Sequence, residues 1–554
     1  MQTSHPASHP ASQPAPPPAS QPGTAPYRPP ALGSDTMVSS SHHQVSSVGH
    51  RVLADGGNAI DAALAMAAMS WLVLPGQCGV GGDLFAVVRE PSGQVWTVGS
   101  SGFGPDGGDL AFYRSQGLTT LPLEGALAVA VPGELAGIAA LHAHGATRSL
   151  AELWAPAIAA AERGVPCTAK TRTDIEEHLD ALRADEDAGR VLVPGGQVPH
   201  VGQLLAHPKL AATMRALAED PSSFYTGELA ERAVEALRTG GAPFSGEEWV
   251  AGLEAGVQPA ITHEYAGHVV HQTTPPSPGW MVLQQAAICD GWLSGLPWLD
   301  AESIHVMAGA ARTAFDDRVE RCGGDGTGWR DTLRAEAVTA AQERIAFDML
   351  PTGRAFVRHG DTTSMVAVDA DGRAVNLIHS LAFTFGARTS IPGTGILLNN
   401  RLGRGAYLKD DHPNGVQPRR RPLHTLNAWI VTDSAGRLRH VGNTPGGDGQ
   451  VQWNMQLLSH LLDHGKDPQE TVDAPRFTVF PGSDSDVLDH PDELRCESRL
   501  GPEVLDRLRH RGHDVRDEGA WGAGGSALVI SVDHEHGILW GGADSRMEGV
   551  ALGG

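Results

Sequence analysis

One stretch holds residue types that could do covalent chemistry: His359-Gly-Asp361-Thr362-Thr363-Ser-Met-Val-Ala-Val-Asp369. There a polar, glycine-containing run gives way to an apolar, β-branched strand opening on two threonines. Threonine favours strands and its hydroxyl caps turns, so the pair alone reads as an ordinary strand start. Chemistry enters once the chain is cut before Thr362. A threonine hydroxyl is a poor nucleophile until a base takes its proton, and a free α-amino group, with a pKa of about 7.7–8.0, is partly unprotonated near neutral pH. On the same residue that amine can serve as the base, directly or through a water. The attacked carbonyl also needs an oxyanion hole. Gly442-Asn-Thr-Pro-Gly446-Gly447-Asp-Gly-Gln450 offers successive N–H groups at Gly446 and Gly447, where glycine permits close approach and unusual dihedrals. The same residues would equally make a plain strand-to-helix turn.

These groups need a frame. Asp369-Ala-Asp-Gly372 is a hairpin signal, and Ala374 to Leu381 reads as the returning strand. Ala428-Trp-Ile-Val-Thr-Asp and Leu438-Arg-His-Val-Gly form a second hairpin about Ser434-Ala-Gly436. Val451 to His464 is an amphipathic helix, and Ala527–Val532 with Gly537–Trp540 is a last hairpin. Upstream, Met37-Val-Ser-Ser-Ser-His is a strand, and a helix over Gln44 to Ala54 stops at Asp55-Gly-Gly57. Asn58 caps a second helix, with Asp61 three residues on. That helix is almost uncharged and rich in Ala and Met, which suits burial between layers. Gly79-Val-Gly-Gly82-Asp83 turns into the strand Leu84–Arg89; with no Lys-Ser/Thr after it and no helix opening there, phosphate binding is disfavoured. Residues 168–260 alternate charged helical stretches with loops and read as a peripheral region uninformative about chemistry.

Composition narrows the class. A 554-residue chain exceeds one simple core, and a formal charge of −23 with no basic stripe argues against a nucleic-acid partner. Arg419-Arg-Arg421 reads as a loop or an anion contact. Five scattered cysteines without C-x-x-C spacing give neither a disulfide framework nor a zinc site, and the 26 histidines are dispersed, so no metal or other cofactor is expected. A reducing cytoplasm is the expected compartment. Residues 1–35 repeat Ser-His-Pro-Ala units before a proline run and read as a disordered or polyproline-like tail without a secretion signal's apolar core. The most apolar stretch, Ala59 to Leu74, contains Asp61 and is too short to span a membrane.

A family resemblance rests on motifs spread over residues 36–554. Val38-Ser-Ser-Ser-His, Gly56-Gly-Asn-Ala-Ile-Asp-Ala-Ala63, Gly79-Val-Gly-Gly-Asp-Leu-Phe85, Val131-Pro-Gly and Ala314-Phe-Asp-Asp-Arg318 resemble the amino-terminal half of γ-glutamyltransferases. The Thr362-Thr363 strand start, Asp369-x-Asp-Gly, Pro392-Gly-Thr-Gly-Ile-Leu-Leu-Asn-Asn400, Thr444-Pro-Gly-Gly and Ala474-Pro-Arg-Phe477 resemble the small subunit, in the same order. The resemblance implies an α+β fold, the αββα four-layer sandwich of N-terminal-nucleophile hydrolases. It also implies self-cleavage at Asp361–Thr362 into a large subunit (36–361) and a small catalytic subunit (362–554) that stay together as a heterodimer. By the same resemblance Thr362 is the nucleophile, with Thr363 beside it, Ser380 orients its amine, and Gly446 and Gly447 are the oxyanion donors. Asn399 and Asn400 are expected to hold a turn.

The γ-glutamyl clamp departs from the family pattern. Ser101 stands where the family's carboxylate-binding arginine is expected, and Ala382 where an asparagine is expected. Arg401 and Arg404 replace the glutamine and the acidic residue that hold the substrate amine, and His424-Thr425 replaces a serine pair. Arginine forks suit carboxylates. A small substrate presenting a carboxylate or oxalyl group to Arg401 or Arg404 is therefore expected, the alternative being ion pairs with Asp410 or Asp411. The readings that follow are an autoprocessed threonine hydrolase or acyltransferase acting on an amide or acyl carbonyl, a C–C hydrolase of the antibiotic alkylproline type, a true γ-glutamyl hydrolase or transferase, and a silent scaffold.

Overall fold

In the computed structural model, residues 28–324, 326, 328–347, 361–485 and 490–554 are described. Of the polar connection expected from Leu350 to Asp361, residues 350–360 lie outside them, as do residues 1–27 of the expected tail. Residues 28–35 depart from that expectation: Ala31–Gly33 is an edge strand paired with Ile538–Ala543.

Two seven-stranded antiparallel sheets form the centre. The first runs, in spatial order, Val550–Gly553, Met37–Ser40, Thr363–Val368, Ala374–Ser380, Asp83–Arg89, Val95–Ser100, Gly256–Pro259. The second runs Ala31–Gly33, Ile538–Ala543, Leu528–Asp533, Leu438–Asn443, Trp429–Thr432, His268–Gln272, Ile261–Tyr265. Both sheets thus take strands from either side of the Asp361–Thr362 bond.

Alternation along the strands sets the layers. Val366 and Val368 pack with Phe85, Ile378, Ile430 and Ile530 between the sheets, while Met365 and Ala367 face the opposite way, against the Ala59–Val73 helix. The outer face of the second sheet carries Val431 and Val529 against Trp280, Ile304 and Met455. Those three lie on the helices Gly279–Cys289, Ala301–Glu320 and Gly449–Leu462. The result is helix, sheet, sheet, helix. The uncharged helix Ala59–Val73 is buried at every position, and Asn58 and Asp61 make the anticipated capping box. The preceding helix, His43–Ala54, ends at Asp55, and Gly56 supplies the positive φ of +81° that turns the chain.

Candidate active site

Thr362 sits where the central strand of the first sheet begins. The hairpin register pairs Thr363 with His379, so Ser380, at the end of the neighbouring strand, lies beside Thr362. Both residues share the parity of the side chains that point between the sheets. The Thr362 hydroxyl donates to Ser380 Oγ at 3.2 Å, and Ser380 Oγ in turn donates to the carbonyl oxygen of Asp361 at 2.8 Å. The backbone N–H of Ala382 also donates to Ser380 Oγ at 2.8 Å, which fixes the hydroxyl's direction. One serine hydroxyl therefore touches both the candidate nucleophile and the oxygen of the peptide bond before it. The chain here is continuous, so Thr362 nitrogen is an amide rather than a base. A hydroxyl so placed can polarise the Asp361 carbonyl while its neighbour attacks it.

Thr362 opens onto a cleft of about 740 Å³, which Gly446 also lines. Gly446 and Gly447 have φ values of +130° and +60°, a region that L side chains rarely adopt. A Cβ added at Gly446 would run into the Trp453 ring. Neither glycine N–H donates to a backbone acceptor among the described residues; Gly446 lines the cleft and Gly447 does not.

The cleft wall beside Asp361 comes from the region expected to be peripheral. The helix Ala169–Glu177 contributes Lys170, Thr173 and Asp174. Lys170 Nζ lies 2.5 Å from Asp174 and 3.4 Å from both carboxylate oxygens of Asp361, and Thr384 Oγ1 donates to the same Asp361 carboxylate. Burial, the Asp361 charge and the incomplete compensation by Lys170 push the Asp174 carboxyl up to about 7. Burial pulls the Lys170 ammonium down, but Asp361 and Asp174 outweigh it and hold the group above its ordinary value, hence cationic. Glu177, Arg388, paired with Glu124, and Arg546, paired with Asp544 and Glu497, also line the cleft.

The residues expected to clamp a substrate lie elsewhere. Arg401 is fully buried, with Nε donating to Asp83 at 3.2 Å and Nη1 to Thr425 at 3.5 Å. His424 shares the same carboxylate at 3.1 Å, and its Nδ1 accepts from the Leu426 N–H, so the ring proton is on Nε2 and points at Asp83. Burial and the Arg401 charge pull the His424 pKa down to about 3, which keeps the ring neutral. Arg404 forks onto Asp484 at 2.6 and 2.9 Å, donates to Ala382 oxygen, and lies over the Phe383 ring. It braces the wall that Phe383 presents to the cleft. The Ser101 hydroxyl turns to its neighbour's carbonyl at Gly102. None of Ser101, Arg401, Arg404, His424 and Thr425 lines the cleft. This departs from the expectation of an arginine clamp: Arg404 forks onto Asp484, and Arg401 is buried on Asp83 through Nε alone, its Nη2 left without a hydrogen-bond partner. Asp410, the anticipated alternative partner, pairs with Arg114 instead. Thr363 is buried in the sheet. Asn399 and Asn400 hold backbone as expected, bridging Gly81, Ala130, Leu123 and Phe383.

A second titratable group sits behind the strand. His379 faces the helix layer, bonded to Glu134 at 2.7 Å and to Ser70 at 2.9 Å, and both His379 and Glu134 are fully buried. Burial alone would lower its pKa, but the Glu134 carboxylate lifts it to about 10. It pins sheet to helices and does not reach the cleft. Among the described residues no group of three or more His, Cys, Asp or Glu could hold a metal, all five cysteines are free and buried, and no helix is long and apolar enough to cross a membrane.

Comparison with known proteins places this arrangement. The family model for gamma-glutamyltranspeptidase matches residues 45–554. The glutathione hydrolase-like YwrD proenzyme of Bacillus subtilis is 31% identical, over 94% of this chain and 99% of its own. The oxamate amidohydrolase proenzyme of Klebsiella pneumoniae is 30% identical, over 93% and 98%. The crystal structure of cephalosporin acylase from Bacillus halodurans superposes with a TM-score of 0.86 at 26% identity, covering 97% of this chain and 99% of that one. The four-layer sandwich is the N-terminal-nucleophile hydrolase fold, and the chain belongs to the gamma-glutamyltranspeptidase family of such hydrolases and transferases.

Proposed function

We propose that this protein is a self-processing threonine amidohydrolase or acyltransferase that cuts its own Asp361–Thr362 bond. It then attacks the amide or acyl carbonyl of a small carboxylate-bearing substrate through Thr362. The observation that carries this reading is the Ser380 hydroxyl, shared between Thr362 Oγ1 and the Asp361 carbonyl oxygen. In the uncut chain Thr362 Oγ1 adds to that carbonyl, its proton passes to the peptide nitrogen, and the C–N bond breaks to leave an ester and a free α-amine; water then hydrolyses the ester, giving the Asp361 α-carboxylate and restoring the Thr362 hydroxyl. The freed α-amine becomes the base that the peptide nitrogen could not be, and Ser380 is placed to orient it. Gly446 and Gly447 receive the negative oxygen of each later tetrahedral intermediate. The relatives' names, an oxamate amidohydrolase and a cephalosporin acylase, support acyl transfer from amides rather than a scaffold. The two pieces, 36–361 and 362–554, stay paired as a heterodimer.

A denaturing gel tests the first step. Purified wild type resolves into two fragments, the smaller beginning at Thr362 by N-terminal sequencing, while Thr362→Ala stays a single band. A single uncut band for wild type would remove the reading. Hydrolysis of simple acyl anilides by the processed form, absent in Thr362→Ala, tests the second.

A further inference from the structure

Asp361 does more than precede the cut. In self-cleavage its acyl carbon is the first to be esterified to Thr362 Oγ1, and in turnover the substrate's acyl carbon forms a bond to the same oxygen, in the cleft that Lys170, Asp361 and Thr384 line. Asp361 is thus a covalently tethered acyl group caught in the site. Its side-chain carboxylate is held by Lys170 Nζ at 3.4 Å to each oxygen and by Thr384 Oγ1. From the attacked carbonyl carbon, Cα and Cβ lead to the carboxylate carbon, so the spacing is that of a succinyl group.

We propose that the site takes four-carbon acyl groups ending in a carboxylate, succinyl or its α-substituted aspartyl form, with Lys170 and Thr384 as the residues that anchor the carboxylate. This inference rests on the reading of Thr362 as the acylated nucleophile.

The other cations do not compete for this role. Arg401 and Arg404 are buried on Asp83 and Asp484. Arg546 is held by Asp544 and Glu497, and Arg388 by Glu124. Lys170, whose side chain is 32% exposed, faces the cleft and already accommodates two carboxylates, those of Asp174 and Asp361. Departure of Asp361 after the cut leaves Lys170 with Asp174 alone, and a substrate carboxylate restores the arrangement seen here. In turnover, Thr362 Oγ1 adds to the amide carbon while its proton passes to the Thr362 α-amine. The leaving amine departs with that proton, and the succinyl ester remains. Water adds to the ester, the C–Oγ1 bond breaks, and the proton lost by water restores the threonine hydroxyl, releasing succinate.

The test uses processed wild type with the 4-nitroanilides of succinate, glutarate and butyrate. Succinyl anilide is expected to exceed butyryl in kcat/KM by about 10-fold or more, through KM, with glutaryl, one methylene longer, below succinyl. Succinate should inhibit butyryl hydrolysis competitively, and butyrate should do so at least about 10-fold more weakly. Lys170→Met and, as a second variant should the first impair self-cleavage, Thr384→Val should collapse the succinyl-to-butyryl ratio, with Lys170→Arg restoring part of it. Equal turnover of succinyl and butyryl anilides without inhibition by succinate would overturn the inference and leave the nucleophile reading standing. Processed protein that turns over none of the three would overturn both.

Discussion

Two ionic clusters lie on either side of Ser380, built from the same kinds of side chain. Asp83 is the cross-strand partner of Ser380 in the first sheet, and with Arg401 and His424 it forms a cluster with no solvent exposure. On the other side Lys170, Asp174 and Asp361 form a cluster open to the cleft. In the first, Arg401 Nε and the neutral ring of His424 both donate to Asp83 Oδ2 while the Gly102 N–H donates to Oδ1, which satisfies a carboxylate that could not otherwise be buried. In the second, one ammonium is shared between two carboxylates, and the strain shows in the raised pKa of Asp174. Charge type does not tell a structural cluster from a recognition cluster; closure against water does. A charge committed to a protein counter-charge inside the core is not available to a ligand.

The comparison can be broken at its common edge first. Thr362→Ala should abolish both self-cleavage and turnover, whereas Thr362→Ser, which keeps a hydroxyl, should still yield two fragments; gel and anilide assay read both. Cleavage that persists in Thr362→Ala would detach the self-cutting group from this edge. Gly446→Ala forces a Cβ towards Trp453 at a positive φ and displaces the N–H proposed as an oxyanion donor. Its kcat in processed protein should fall by about 10²–10³-fold, the usual effect of losing such a donor.

Arg401→Met sharpens the contrast between the clusters. It leaves Asp83 buried without its cation, and denaturant unfolding should show a loss of about 3–5 kcal/mol, as for a broken buried pair. Substrate preference in whatever folds should be unchanged; an unchanged stability with an altered KM would reverse the roles given to the two clusters.

The smallest effect is a pH dependence. The Asp174 carboxyl is raised to about 7 in the folded chain against an ordinary 3.8. Between those values the folded form binds a proton that the unfolded form does not, so this group's contribution to stability falls as pH rises from about 4 to about 7 and is then level. The uncleaved Thr362→Ala protein should lose stability across that window relative to its Asp174→Asn counterpart, by on the order of 1 kcal/mol after screening. Melting curves at several pH values measure the difference in slope; parallel curves would show that Asp174 is ionised throughout.

Local signals in the sequence reached far. The Asn58 capping box and the Asp369–Gly372 hairpin are set by residues within a few positions of one another, and each forms as expected. The Thr362–Ser380 juxtaposition follows from that hairpin's register. The destinations of the arginines could not be read in the same way. Arg401 meets Asp83 318 positions away, and Lys170 meets Asp361 191 positions away. Nothing in the Thr168–Arg172 stretch marks it as cleft wall, because a helix with one charged face against solvent has the same composition as one with that face against a site. Ala31–Gly33 escaped for another reason: a three-residue edge strand has too few positions for a period to show.

The strand order has a consequence for what a cut does to the molecule. Among the described residues, five ladders of the two central sheets join residues before Thr362 to residues after it, three in one sheet and two in the other. While the chain is continuous, forming those ladders is an intramolecular event. Once the Asp361–Thr362 bond is gone, the same pairing becomes a bimolecular encounter between pieces that each hold only part of both sheets. The cut form is therefore maintained by the height of its unfolding barrier, not by a ready return from the unfolded state. Heating should inactivate it irreversibly, while the uncut Thr362→Ala chain keeps the connectivity needed to fold again.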